Sequence, residues 1–88
     1  MTNVTVYGKI TCEDTIRSRA FLDKHKVPYT WVDVEKNLEG RRIAIQKNPN
    51  NRLNTPTIVF QDGCALVEPP DEQLAQKLGI AMGNQRGH

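Results

Sequence analysis

The chain has 88 residues, and its 12 Lys and Arg against 10 Asp and Glu give a formal net charge of +2. This length fits one small domain but not two, and so small a charge does not indicate the clustered basic face of a nucleic-acid binder. No apolar run reaches the roughly 18 residues of a membrane span, and residues 1–6 do not resemble a secretory signal. Because two cysteines are too few for a disulfide-stapled fold, we expect a reduced, cytoplasmic protein.

The predicted elements alternate between strands and helices. Runs of β-branched and aromatic residues predict strands over residues 4–7, 29–34, 57–60 and 64–67. Helical spacing of apolar residues predicts helices over residues 13–25, 38–47 and 71–78. The first strand–helix–strand unit makes its two strands parallel, and Asp62-Gly63 predicts a hairpin between the last two strands.

The helices have predicted inward faces. These faces comprise Ile16, Ala20, Phe21 and Leu22 in the first helix, Leu38, Ile43 and Ala44 in the second, and Leu74, Ala75 and Leu78 in the last. Gly79 is the expected C-cap of the last helix. Residues 1–80 are therefore predicted to form one domain, and residues 81–88 to form a mobile tail.

Cys12 lies just after the first strand, where the first helix begins. A helix N-terminus favours an anion, and such a position lowers the pKa of a thiol toward neutrality and supplies the nucleophilic thiolate. Lys9 adds positive charge nearby, whereas the carboxylates of Glu13 and Asp14 oppose ionisation. The competing interpretation is that Cys12 is a small, buried apolar side chain.

Thr55-Pro56 directly precedes the third strand. Proline cannot donate to a sheet, and its placement fits a cis peptide bond. That geometry would present the backbone N–H and C=O of Thr55 to an extended, thiol-bearing peptide. The alternative is an ordinary trans proline that begins a strand.

Taken together, residues 4–12, 31–34, 55–60, 62–63 and 66–69 resemble the glutaredoxin family, and most closely its mycoredoxin-like and glutaredoxin-like groups. The resemblance implies an α/β thioredoxin fold of order β-α-β-α-β-β-α, with helices flanking a four-stranded mixed sheet. It also implies thiol–disulfide exchange at Cys12 and substrate docking at Thr55 and Pro56.

The resemblance further implies that a small thiol binds near Cys12. Lys9 and Thr11 of the preceding turn are candidate thiol-binding residues. Arg52 matches an arginine that often holds the glycyl carboxylate of glutathione in the family. The alternative for Arg52 is a solvated charge on a loop.

The active-site motif departs from the family. Residues 12–15 read Cys-Glu-Asp-Thr where the dithiol motif is Cys-Pro-aromatic-Cys, so Thr15 replaces the resolving cysteine. A monothiol route remains, in which Cys12 attacks a mixed disulfide and a second small thiol resolves the adduct. The Thr15 hydroxyl is a candidate donor to the Cys12 sulfur, and the alternative is a bond back to its own helix.

Two further features bear on this route. Cys64 is expected at the far end of the sheet, roughly 20 Å from Pro56, whereas a disulfide needs Cα atoms within about 7 Å. Cys64 is therefore not expected to act as the resolving thiol.

Residues 68–71 read Glu-Pro-Pro-Asp where the family has a Gly-Gly loop that cradles the γ-glutamyl end of glutathione. That difference leaves mycothiol or a protein disulfide open as the substrate. Asp71 is predicted to cap the last helix.

The expected partners are therefore a low-molecular-weight thiol, either glutathione or mycothiol, and protein disulfides. We expect a monomer with no tightly bound cofactor and no nucleic-acid or membrane partner. No metal site is expected, because Cys12 and the two dispersed histidines lack ligand spacing. Two alternatives remain. One is a non-catalytic peptide-binding module on the same fold. The other is an iron–sulfur cluster carrier assisted by glutathione, although such carriers typically have Cys-Gly-Phe-Ser.

Overall fold

The computed structural model describes residues 3–81. Within them the elements, in chain order, are β1 (Thr5–Gly8), α1 (Glu13–Lys24), β2 (Thr30–Asp33), α2 (Leu38–Lys47), β3 (Thr57–Val59), β4 (Ala65–Val67) and α3 (Asp71–Leu78). This is the predicted order β-α-β-α-β-β-α. The tail predicted over residues 81–88 lies outside the described residues except for Ala81.

The four strands form one mixed sheet in the order β2-β1-β3-β4. β1 runs parallel to β2 and antiparallel to β3, and β3 runs antiparallel to β4. These are the expected directions, and the architecture is the predicted thioredoxin fold. The register pairs Tyr7 with Thr57. It therefore brings the segment that follows β1 close to the segment that precedes β3.

The main core lies between the sheet and two of the helices. Its buried members come from β1 and the residue before it, from α1, from β3 and the residue after it, and from α3. They are Val4, Val6, Phe21, Leu22, Ile58, Phe60, Leu74 and Ala75. Leu22, Ile58 and Leu74 are completely buried, and the burial of each such side chain stabilises the fold by roughly 1.5–3 kcal/mol.

α2 packs on the opposite face of the sheet. Trp31 of β2 packs against the main core, so the alternation of side chains along a strand turns the neighbouring Val32 toward the other face. A Cβ placed on Gly40 of α2 would collide with Val32. Glycine is therefore required at this helix–sheet contact, although it weakens the helix itself.

The predicted inward face of α1 is partly wrong. Ile16 is 53% exposed and Ala20 is also exposed, whereas Thr15 and Ser18 are completely buried beside Phe21 and Leu22. The helix is rotated so that two small hydroxyl side chains approach the sheet, since a bulky Ile does not fit where Thr15 packs closely on β1.

Leu38 is also not inward, because this first residue of α2 is 82% exposed. Of the other residues predicted to face inward on α2, Ala44 is buried and Ile43 is half-buried. On α3 the prediction is confirmed: Leu74 and Ala75 are buried, and Leu78 packs at the edge of the core.

The hairpin and the last helix follow the prediction with small shifts. The Phe60 N–H donates to the Cys64 carbonyl at 2.8 Å, and the return strand begins at Ala65 rather than at Cys64. Gly79 is the C-cap of α3, with a left-handed φ of 72°. No helix within residues 3–81 has the length and apolar character needed to cross a bilayer.

Candidate active site around Cys12

Cys12 occupies the N-cap of α1. Its backbone is extended, with φ −82° and ψ 122°, and its side chain makes no capping hydrogen bond. Its carbonyl accepts from the Ile16 N–H at 2.9 Å, and its own N–H donates to the Lys9 carbonyl at 3.1 Å. The free N–H groups of the first helical turn are therefore available to a negative charge on the half-buried sulfur.

The Cys12 sulfur faces the segment that leads into β3. Its Sγ donates to the Thr55 carbonyl at 3.4 Å, across 43 residues of sequence. The Thr55–Pro56 peptide bond is cis, as the sequence predicts, and the Pro56 carbonyl accepts from the Glu68 N–H at 2.8 Å. The antiparallel pairing of β1 with β3 brings these segments together.

Thr15 lies one helical turn after Cys12 and is completely buried. Its Oγ1 has no hydrogen-bond partner among the described residues, so the alternative of a bond back to its own helix is not observed. A Cβ placed on Gly8 would lie 2.6 Å from Thr15 Cγ2 and 2.7 Å from Oγ1. Glycine at the end of β1 therefore leaves the space that Thr15 fills.

Burial raises the pKa of the Cys12 thiol, but hydrogen bonds to the thiolate outweigh this effect and lower the pKa below its usual range. The groups that stabilise the thiolate are the side chains of Thr55 and Thr15 and the backbone N–H groups of Thr15 and Asp14. The Thr15 hydroxyl has no partner while Cys12 is a neutral thiol, so its hydrogen bond to the sulfur forms only with the thiolate. The direction agrees with the prediction from the helix start. The main contributions come from hydroxyl and N–H donors, and the Lys9 ammonium is not among them.

The remaining predicted site residues are less closely tied to the sulfur. Lys9 is half-buried and meets Cys12 through its carbonyl, and Thr11 is exposed next to Cys12. Arg52 is exposed in the loop before β3 and makes no ion pair within residues 3–81. The structure thus brings together Cys12, Thr15 and Thr55-Pro56, and the thiol-binding roles of the others stay predictions.

A buried amide that the sequence analysis missed supports the Thr55-Pro56 segment. Asn48 is only 4% exposed. Its Nδ2 donates to the Ala44 carbonyl at 2.6 Å and to Thr57 Oγ1 at 2.8 Å. Asn54 Nδ2 donates to Asn48 Oδ1, and Thr57 Oγ1 donates to the Asn54 carbonyl. From sequence, Asn48 indicated only the end of a helix.

Arg17 is the second residue that the sequence analysis missed. Its guanidinium donates to Asp14 Oδ1 at 2.9 Å and to the Pro69 carbonyl at 3.5 Å, and its Nε lies 3.8 Å from Asp71 Oδ1. The prediction that Asp71 caps α3 is wrong. Pro70 is the N-cap residue and no side chain makes a capping bond there, because Asp71 already lies within the helix and turns toward Arg17.

Other possible sites do not include the sulfur. A cavity of about 300 Å³ runs along α1, with Arg17, Phe21, Lys24, His25 and Asp71 in its wall, and Cys12 does not line it. Within residues 3–81 no group of three or more His, Cys, Asp or Glu side chains is arranged to hold a metal ion.

Cys64 does not reach the site. Both cysteines are free, and Cys64 is exposed. The register pairs Thr5 with Val59, so the hairpin that carries Cys64 lies beyond the start of β1, whereas Cys12 follows its end. Cys64 is therefore placed at the opposite end of the sheet, as predicted.

Comparison with known proteins agrees with the fold. The sequence model of the glutaredoxin family matches residues 4–64. A crystal structure of a mutant thioredoxin-like protein is 28% identical, with a TM-score of 0.76 over 89% of this chain and 96% of that one. A glutaredoxin from Methanosarcina mazei Go1 is 24% identical, with a TM-score of 0.75 over 89% of this chain and 79% of that one. No curated protein matches the chain.

Proposed function

The chain belongs to the glutaredoxin family, and we propose that it is a thiol–disulfide oxidoreductase that uses Cys12 by a monothiol route. The observation that carries the proposal is the position of the Cys12 sulfur. It lies at the start of α1, 3.4 Å from the Thr55 carbonyl, with donors that lower the pKa of the thiol. We further propose that the protein acts on small-thiol adducts and that it works as a cytoplasmic monomer.

The proposed reaction has two exchange steps. The Cys12 thiolate attacks one sulfur of a mixed disulfide R–S–S–R′, which forms a Cys12–S–S–R bond and releases R′–S⁻. A second small thiolate R–S⁻ then attacks the sulfur of R in the adduct, which forms R–S–S–R and releases the Cys12 thiolate. The electrons that reduce the substrate come from the small thiol. Because Thr15 replaces the resolving cysteine, neither step passes through a disulfide within the motif.

The residues around the sulfur have separate proposed roles. The Thr15 hydroxyl and the N–H groups of the first turn stabilise the thiolate before attack and after release. The backbone of Thr55 aligns the extended substrate, which is the usual role of an exposed strand edge in peptide recognition. Lys9, Thr11 and Arg52 are the candidate contacts for the small thiol.

The loop before α3 bears on which small thiol is used. Pro69 and Pro70 have no N–H group, and the Glu68 N–H already donates to the Pro56 carbonyl. The loop therefore offers no free backbone donor at these three positions for the carboxylate of a γ-glutamyl group. This favours a co-substrate, such as mycothiol or a protein-bound thiol, that does not need this contact, and glutathione remains the comparison to test.

The test uses two single variants, Cys12→Ser and Cys64→Ser. Each is incubated with glutathione disulfide and, separately, with mycothiol disulfide, and the adducts are identified by mass spectrometry of peptides. We expect an adduct on Cys12, loss of reductase activity in Cys12→Ser, and unchanged activity in the matched control Cys64→Ser.

Three results would contradict the proposal. Full activity in Cys12→Ser would show that the reaction does not require Cys12. No adduct, together with a Cys12 pKa near ~8.5, would indicate a non-catalytic peptide-binding module. A protein that becomes coloured on anaerobic reconstitution with iron, sulfide and glutathione, without exchange activity, would instead indicate a cluster carrier.

A further inference from the structure

Arg17 connects two segments that lie next to the proposed site. Its Nη1 donates to Asp14 Oδ1 at 2.9 Å, in the first turn of the helix that begins at Cys12. Its Nη2 donates to the Pro69 carbonyl at 3.5 Å, and its Nε lies 3.8 Å from Asp71 Oδ1. One guanidinium therefore joins the first turn of α1 to the loop before α3, across more than fifty residues of sequence.

The charged groups that pair with this guanidinium are both carboxylates. Glu13 and Asp14 follow Cys12 directly, and Asp71 begins α3. The Oδ1 atom of Asp71 is buried and accepts no hydrogen bond among the described residues, so Arg17 is the cation that balances it. Lys9 is the other basic side chain close in sequence to Cys12. Without Arg17, the carboxylates of Asp14 and Asp71 would have no ion-pair partner among the described residues.

We propose that Arg17 is a positioning residue of the Cys12 site. It holds the Pro69–Asp71 loop against the first turn of α1 and neutralises the carboxylates there. As a result, anionic as well as neutral disulfides reach the sulfur. This inference rests on the proposed function. Arg17 itself contacts Asp14, Asp71 and Pro69 and acts on Cys12 only through them.

The geometry favours arginine over lysine for this role. A guanidinium presents several N–H donors in a fixed plane, and here those donors meet two carboxylates and one carbonyl in different directions. A lysine ammonium is a point charge with no such fork. Arg17→Lys should therefore keep most of the charge effect and lose the link between the segments.

The test measures local charge without relying on turnover. In a Cys64→Ser background, the alkylation rates of Cys12 are measured with neutral iodoacetamide and with anionic iodoacetate. The ratio of the two rates cancels the thiolate fraction, so it reports the charge near the sulfur. At about 0.01 M ionic strength the Debye length is ~30 Å, so charges near the sulfur are little screened. Under this condition we expect Arg17→Gln to lower the iodoacetate-to-iodoacetamide ratio about two- to threefold.

The matched control is Arg42→Gln. Arg42 pairs with Glu39 at 3.1 Å with the same i,i+3 spacing, but on α2, so this variant should leave the ratio unchanged. Adding Asp14→Asn to Arg17→Gln should restore most of the ratio. High salt should remove the difference in this ratio between Arg17→Gln and the parent protein. Amide exchange of Glu68, whose N–H bonds to Pro56, should be faster in both Arg17→Gln and Arg17→Lys.

Three outcomes would overturn the inference. They are a ratio in Arg17→Gln equal to that in Arg42→Gln, a loss that Asp14→Asn does not restore, and an equal loss in Arg17→Lys. A merely structural role would lower the melting temperature and leave the ratio unchanged. Because the ratio requires only a reactive Cys12, failure of the exchange assay would contradict the proposed function and would leave this measurement interpretable.

Discussion

The hydroxyl of Thr15 supplies the sharpest test of the site. The structure predicts that Thr15→Val makes the ionisation of Cys12 less favourable but makes the fold more stable. The side chain is completely buried, fills the space beside Gly8, and has no partner for Oγ1 among the described residues. Valine keeps this shape and removes only the hydroxyl. We therefore expect the variant to raise the pKa of Cys12 and, at the same time, to stabilise the fold.

The magnitudes follow from the contacts. A hydrogen bond to a charged group contributes about 1.5–3 kcal/mol, and one pKa unit corresponds to about 1.36 kcal/mol. Cys12 is only half-buried and keeps its donors from Thr55 and the backbone. We therefore expect a rise of about 0.5–1 pKa unit. A buried hydroxyl without a partner costs about 1–3 kcal/mol, so its removal should stabilise the variant by about 1 kcal/mol.

The pH dependence follows from linkage. The pKa of folded Cys12 is lowered, so its ionisation stabilises the fold above the ordinary thiol pKa, and this contribution is lost as the pH falls through the folded pKa. Thr15→Val removes part of that contribution. The stability gain should therefore be largest below the pKa of Cys12, where the thiol is neutral, and should shrink above it.

The assay follows the thiolate absorbance near 240 nm and the rate of attack on a neutral disulfide across pH, in a Cys64→Ser background. With a Brønsted coefficient of about 0.4–0.5, we expect a two- to fourfold slower rate well below the pKa of Cys12. Well above the pKa we expect a rate about two- to threefold faster, because a more basic thiolate is more nucleophilic. The two pH–rate profiles therefore cross.

The matched control is Ser18→Ala, which removes the other buried and unpartnered hydroxyl of α1. It should change stability without moving the pKa of Cys12. The reasoning is refuted if Thr15→Val shifts the pKa no more than Ser18→Ala does. A loss of about 2 kcal/mol or more in Thr15→Val would show that Oγ1 has a partner in solution.

Two further predictions concern the support of the site. Asn48→Ala removes three hydrogen bonds of a buried amide and should destabilise the fold by about 2–3 kcal/mol, which thermal unfolding would show as a melting temperature roughly 10–20 °C lower; a change below about 1 kcal/mol would contradict the buried network. Gly8→Ala should destabilise the fold by about 1–3 kcal/mol through overpacking, and adding Thr15→Ala should recover much of this loss in the same assay. If the losses of the two variants simply add, the new methyl group does not clash with Thr15.

The sequence predicted the features that depend on local patterns. The β-branched run of β1, the Asp62-Gly63 turn and the apolar face of α3 each lie where predicted, because neighbouring residues decide them. The position of Cys12 at a helix start followed from the change of period after Gly8. These features predicted the element order, and they led to Cys12 as the proposed nucleophile.

The features that the sequence did not predict depend on distant contacts. The face of α1 was predicted from Ile16, yet the buried stripe runs through Thr15 and Ser18, because the helix approaches the sheet closely at Gly8. Arg17 resembled an ordinary exposed charge, since its partner Pro69 is 52 residues away. The buried amide of Asn48 was hidden in the same way, because its partners become neighbours only in the folded chain.

The replacement of a resolving cysteine by Thr15 changes which step the site must favour. In a dithiol protein the second cysteine displaces the bound thiol from inside the motif. On the proposed monothiol route, an external thiol must expel Cys12 as the leaving group, and a thiol of lower pKa leaves faster. The hydroxyls of Thr15 and Thr55, which lower the pKa of Cys12, therefore assist the release step as well as the attack. On this proposed route, Thr15 cannot resolve the adduct itself, but its hydroxyl would make resolution of the adduct by another thiol easier.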